Sequence, residues 1–231
     1  MSRRMHESQV NLSTAVDLAR TGDIWIFRGS SGPDRAIHTL SNSPVNHVGM
    51  AVVLADMPPL MWHAELGKSL QDMWTGRFQR GVQLHDLRGA VQVWCGRYHQ
   101  TGWLRQLEPE VTKAQEDALL RTIARLDGTP FPSATKFASR YVSRRATGFR
   151  KGTPALDKDL ETTYCAEVVG VTYEAMGLLR KERKSDWYDP GKFWSGDRLP
   201  MTPGFTLGKE IAVTLTAEEL AAGGVRGGPV G

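Results

Sequence analysis

A thiol and an imidazole lie far apart in this chain, each where its chemistry would be usable. Cys165 stands in Thr163-Tyr164-Cys165-Ala166-Glu167-Val168-Val169. That segment reads as the first turn of a helix running to Leu178. The positive end of a helix dipole there favours a thiolate. Capping by Thr162 or Thr163 would leave backbone N–H groups near the sulfur, able to hold an oxyanion. His47 opens Asn46-His47-Val48-Gly49-Met50-Ala51-Val52-Val53-Leu54, which reads as a buried strand. Brought together, the two residues make a nucleophile and its general base.

A third group would orient the imidazole. His63 and Glu65 lie two apart on the next apolar run, so on a strand they share a face. His63 would act through a hydrogen bond between rings, and Glu65 as a carboxylate stabilising the imidazolium. His63 is slightly favoured, and both stay open. Tyr164 could donate its phenol to an oxyanion, or simply pack. Each of these residues also has a bland reading. A lone cysteine is more often a small buried hydrophobe, and a lone histidine a strand-edge residue making one backbone bond. Glu167 suits the helix dipole rather than acid catalysis. Cys95 reads as structural, in an alternating strand. His6, His38, His85 and His99 belong to no motif.

The elements that must position these groups follow from periodicity. Residues 10–20 read as a short helix, and Ile24-Trp25-Ile26-Phe27 as a strand. Leu60 to Leu66 should pair antiparallel with the His47 strand, since the connection is too short for a crossover. Val82–Leu87 and Val91–Tyr98 alternate and read as two more strands. Ser69–Phe78 has mixed signals and leans to helix. Pro109–Leu126 carries Val111, Ala114, Ala118, Leu119, Thr122 and Ile123 at helical spacing. Ser133–Val142 reads as a helix, and Arg144–Glu161 as a long surface loop. Strands followed by helices define an α+β class: an antiparallel sheet or small barrel packed against helices.

The 231 residues are 40% hydrophobic, with seven Trp and seven Phe, enough for one core. The expected division is a helical extension over 1–21, a domain over 22–200, and a partly disordered extension over 201–231. Two cysteines exclude a disulfide scaffold. No apolar leader or membrane span is read, so the expected setting is cytoplasmic. The net charge of +4 is mild. Basic runs at 140–151 and 180–184 read as solvated faces, with no nucleic-acid motif beside them. No metal-ligand spacing or cofactor motif is seen, so neither a metal nor an organic cofactor is expected.

Four segments resemble the circularly permuted NlpC/P60 cysteine hydrolases, the YiiX-like group of the papain-like superfamily. Gly22-Asp23-Ile24-Trp25-Ile26-Phe27-Arg28-Gly29 is similar to that family's opening strand and loop. Ser43 to Gly49 is similar to its S-x-x-x-H-V-G signature. Tyr164-Cys165-Ala166-Glu167-Val168-Val169 is similar to Y-C-S-E-L-V. Gly128-Thr129-Pro130-Phe131 with Phe137 is similar to G-x-x-Y-D-x-x-F, although Pro132 stands where the family has Asp. The order, histidine before cysteine, is the one permutation requires. The resemblance implies a permuted papain-like fold, with Cys165 as nucleophile and His47 as base. The third position falls on His63-Ala64-Glu65 with its register open.

The expected activity is therefore hydrolysis of a peptide, isopeptide or amino-acid-linked amide through a Cys165 thioester. The expected partner is a small peptide-like or acyl substrate. An acyl or lipid ester variant would use the same dyad, with Trp62, Trp74, Phe78 and Trp103 as candidate groove residues. A non-catalytic binding module is the reading from another class, and a basic protein binding anionic surfaces is a third.

Overall fold

A computed structural model describes residues 8–29, 44–130, 154–196 and 199–225. The expected helix over Ser133–Val142, the basic run at 140–151, His6, His38, Phe131, Pro132 and Phe137 lie outside these residues.

Seven strands form one sheet, in the order β1 (Gln9–Asn11), β9 (Ile211–Thr214), β6 (Thr101–Arg105), β2 (Ile24–Arg28), β3 (His47–Val52), β4 (Leu60–Glu65) and β5 (Gly81–Asp86). All neighbours are antiparallel except β1 and β9, which run parallel. A second, two-stranded ladder joins β7 (Leu107–Glu108) to β8 (Thr206–Leu207). The class is α+β, a mostly antiparallel sheet packed with helices. Segments 9–11 and 211–214, read from sequence as parts of extensions, are strands of this one sheet.

The alternation of side chains divides the core into two layers. One layer holds Ile24, Ile26, Val48, Met50, Val52, Leu60, Trp62 and Ala64. It is covered by α3 (Lys113–Leu126) and by α4 (Pro154–Ala175), which contributes Cys165, Ala166, Val169 and Tyr173. The opposite layer holds Trp25, Phe27, Ala51 and Met61. It is covered by α1 (Leu12–Asp17), by α2 (Leu87–Gln92), and by a π-helical turn over Val93–Arg97 that supplies Trp94 and Cys95. A further helix, α5 (Ala217–Val225), packs on α2 and that turn.

Local chemistry explains these elements. Thr112 and Gln115 form a capping box that starts α3. Trp62 Nε1 donates to Thr172 Oγ1 at 3.0 Å, tying β4 to α4. Asp23 is fully buried and accepts from the backbone N–H groups of Leu107 and Arg20 at 2.8 and 2.9 Å. The Gly-Asp pair thus fixes a corner of the fold.

Four expectations are corrected. Val91–Tyr98 is not a strand. Asp86 accepts from Gly89 N at 2.6 Å and starts a helix that the valines continue. Ser69–Phe78 is not a helix but a set of turns built around Asp72. Residues 154–161 belong to α4 rather than to a loop. Residues 217–225 form α5 rather than a frayed tail.

Candidate functional site

The sheet's register decides which candidate residues meet. On β3, His47 pairs with Phe27 of β2 and shares its face. It stacks on Trp94, with ring centroids 3.7 Å apart and planes 16° apart. On β4, His63 and Glu65 point to this same side, and β5 adds His85 from the adjacent strand. The four side chains are buried, each 1% exposed or less.

They form one connected row. His47 Nε2 and His63 Nδ1 are a hydrogen-bonded pair at 3.0 Å. His63 Nε2 and His85 Nδ1 are a second pair at 2.9 Å. Glu65 Oε2 lies 3.8 Å from His85 Nδ1. Ser69 Oγ donates to both oxygens of Glu65 at 2.8 and 2.9 Å, and Tyr98 OH donates to Oε1 at 3.1 Å. The two ends of the row, His47 Nδ1 and His85 Nε2, have no hydrogen-bond partner among the described residues although both are buried.

Two glycines leave room for this row. A Cβ on Gly49 would lie 2.8 Å from Met61 Cγ and 3.4 Å from His63 Cβ. A Cβ on Gly67 would lie 2.6 Å from Glu65 Oε1 and 3.1 Å from Tyr98 OH.

Burial sets the charge state. It depresses His47 to about 3, helped by repulsion from His85, and depresses His85 to about 4 against the pull of Asp72. It holds His63 well below the usual imidazole range and raises Glu65 above the usual carboxylate range. All three imidazoles are therefore neutral at pH 7, so His85 and Glu65 are not a salt bridge. Neutral imidazoles are also metal ligands.

The thiol is elsewhere. Cys165 and Tyr164 sit in the layer on the α4 side of the sheet, and His47 in the layer on the Trp94 side. The two side chains therefore belong to opposite faces of the sheet. Cys165 does not begin a helix. It lies well inside α4, so Thr162 and Thr163 are interior helical residues rather than caps. The dipole argument for a thiolate therefore lapses. Cys95 is in the π-helical turn rather than a strand, and burial pushes its thiol up to about 12, which makes it unreactive. The candidate groove is also divided. Trp62 and Trp103 are buried, whereas Trp74 and Phe78 are exposed.

One set of donors fits a metal ion. Single atoms of His63, Glu65 and His85 all lie within 4.8 Å of one another. Metal–ligand bonds of 2.0–2.2 Å around a tetrahedral centre put ligand atoms about 3.4 Å apart. The separations of 2.9 and 3.8 Å fall either side of that value. The outer shell fits at two of the three ligands: His63 passes its other nitrogen to His47, and Glu65 is held by Ser69 and Tyr98, whereas His85 Nε2 has no partner among the described residues. His85, Ser69, Trp94 and Tyr98 were not legible as site residues. For His85 the usable signal was parity, since it falls on the same face of β5 that His63 occupies on β4.

Fold and site together define an α+β protein with a buried cluster of two histidines and one carboxylate. No protein-family model matches the chain, and no curated protein matches it significantly. Among solved structures it is similar to the crystal structure of metalloprotein yiiX from Escherichia coli O157:H7. The match has 21% sequence identity and a TM-score of 0.44, covering 84% of this chain and 98% of that one. At that level nothing about site or activity transfers.

Proposed function

We propose that this chain binds a divalent transition metal through His63 Nε2, His85 Nδ1 and Glu65, and that this cluster is its chemical site. The observation that carries the proposal is the convergence of two neutral ring nitrogens and a carboxylate oxygen in a buried position, with Ser69 and Tyr98 bonded to the carboxylate and His47 to His63. A metal-free polar network is the bland alternative. It would bury a carboxyl group beside neutral imidazoles with no cation to favour its ionised form, a costly arrangement in a low-dielectric interior. A cation bound by His63, His85 and Glu65 would offset that cost.

Two histidines and a glutamate are a catalytic zinc set, and iron(II) accepts the same donors. Held by His63, His85 and Glu65, such an ion would supply Lewis acidity. The chain's own residues do the rest. Ser69 and Tyr98 fix the carboxylate, and His47, clamped on Trp94, orients His63. Amide hydrolysis through Cys165 and His47, which the family resemblance implies, stays a separate proposal. The permuted NlpC/P60-like reading of the fold also stays an inference, resting on the order of His47 and Cys165 in the sequence.

The test is metal content and affinity. The purified chain should carry about one zinc or iron. After chelation it should rebind one equivalent of Zn²⁺, with His85→Ala and Glu65→Gln binding at least about 10-fold more weakly. Cys165→Ser should rebind like wild type. Absence of any tight Zn²⁺ or Fe²⁺ site would overturn the proposal. Fast alkylation of Cys165 well below the ordinary thiol pKa of about 8.5, abolished by His47→Ala, would support the separate proposal at the thiol.

A further inference from the structure

The connection between β4 and β5, residues 66–80, presents an unusual surface. Met73, Trp74 and Phe78 are 40%, 58% and 52% exposed, three of the five large hydrophobic side chains so exposed among the described residues. Lys68, Arg77 and Arg80 are exposed in the same segment, and none makes an ion pair among the described residues. The segment's one acid, Asp72, is buried. Every charge this segment shows to solvent is therefore positive.

The segment is also rigidly shaped. Asp72 Oδ2 accepts from Thr75 N at 2.7 Å and from Thr75 Oγ1 at 2.6 Å, while Oδ1 accepts from Leu84 N at 2.8 Å. Asp72 N donates to Arg77 O, Gly76 N to Asp72 O, and Met73 N to Leu84 O. Gly76, with φ of +69°, makes the reversal. A buried carboxylate thus anchors the turn to β5, with Trp74 and Phe78 held out in water. A loop free to relax would bury them.

We propose that residues 68–80 dock this protein peripherally on an anionic lipid surface. Trp74, Phe78 and Met73 would enter the headgroup boundary, while Lys68, Arg77 and Arg80 meet lipid phosphates and carboxylates. Aromatic rings with cations beside them match that boundary on both counts. Apolar side chains on a turn tip suit a fluid surface that closes around them. Nothing in this requires a membrane span, and no helix among the described residues is long and apolar enough to be one.

Flotation of the full chain with lipid vesicles tests this. Vesicles of phosphatidylcholine containing about one-third phosphatidylserine should carry the protein up, and pure phosphatidylcholine should not. Binding should weaken as salt is raised. Trp74→Ser with Phe78→Ser, and separately Arg77→Glu with Arg80→Glu, should each cut partitioning about tenfold or more. Circular dichroism confirms that the variants are folded. Failure to float with phosphatidylserine overturns the proposal. So does flotation that ignores both double variants, which would place the contact on another basic surface. Loss on charge reversal alone, with equal capture by polyglutamate, would show a site for acidic polymer rather than lipid, and also overturns it.

Discussion

At the scale of single residues, the row His47–His63–His85 should make the metal-free chain sensitive to acid. Burial depresses His47 to about 3 and His85 to about 4, with His63 also held low. Unfolded imidazoles take a proton near 6.5. Between roughly pH 6.5 and 4 the unfolded state therefore binds more protons, and stability falls as pH drops. Asp23, raised to about 6 by burial, works in the opposite sense: its contribution is present at low pH and is lost as pH rises toward 6. Glu65 acts in the same direction as Asp23. Asp127, also raised to about 6 by burial, joins them. The three histidines set the sign, and urea unfolding after chelation should show lower stability at pH 5 than at pH 7. A flat profile would contradict the buried neutral row. A second expectation concerns Gly67→Ala. The new methyl displaces the Glu65 carboxylate from Tyr98, and Zn²⁺ affinity measured by competition should fall about 10- to 100-fold. The hydrogen bond between His47 and His63 was legible in the sequence, because residues two apart share a strand face and His47 opens the neighbouring strand. His85 was not, because a face's third member depends on register across a further strand.

At the scale of elements, the π-helical turn is the lid over the row. Trp94 stacks on His47 and meets Tyr98 edge to face, and Tyr98 N closes the turn on Val93 O at 3.1 Å. Trp94→Ala should cost about 3–5 kcal/mol by denaturant unfolding. Metal affinity should fall with it, because His47 loses the surface that holds its ring. Unchanged affinity would confine Trp94 to packing. Val91, Val93 and Cys95 alternate like a strand, and periodicity alone misses the Asp86 cap that starts a helix. Helix α4 shows the reverse error. Its first turns, residues 154–161, lack an apolar period, so the start was read at Cys165 and the thiol was given a helix terminus it does not have. The strands over 24–28, 47–52, 60–65 and 81–86 were legible because each is a short apolar run between turns. Thr101–Arg105 and Ile211–Thr214 were not, being brief and joined only by long-range pairing.

At the scale of the whole molecule, the sheet is a partition. It keeps Cys165 with α4 and the histidines with the π-helical turn. No sequence pattern reports which of two faces a helix will cover. The parallel pairing of β1 with β9 has a further consequence. Gln9–Asn11 lies along β9 over Ala212–Thr214 and occupies its outer backbone groups. At three residues with its ends exposed, β1 is a poor template for another chain. Removing residues before Leu12 would strip that cover and leave Ile211–Thr214 as an open edge with apolar side chains. The shortened chain should therefore self-associate edge to edge, visible as concentration-dependent oligomers in sedimentation velocity, while the intact chain does not do so through this edge.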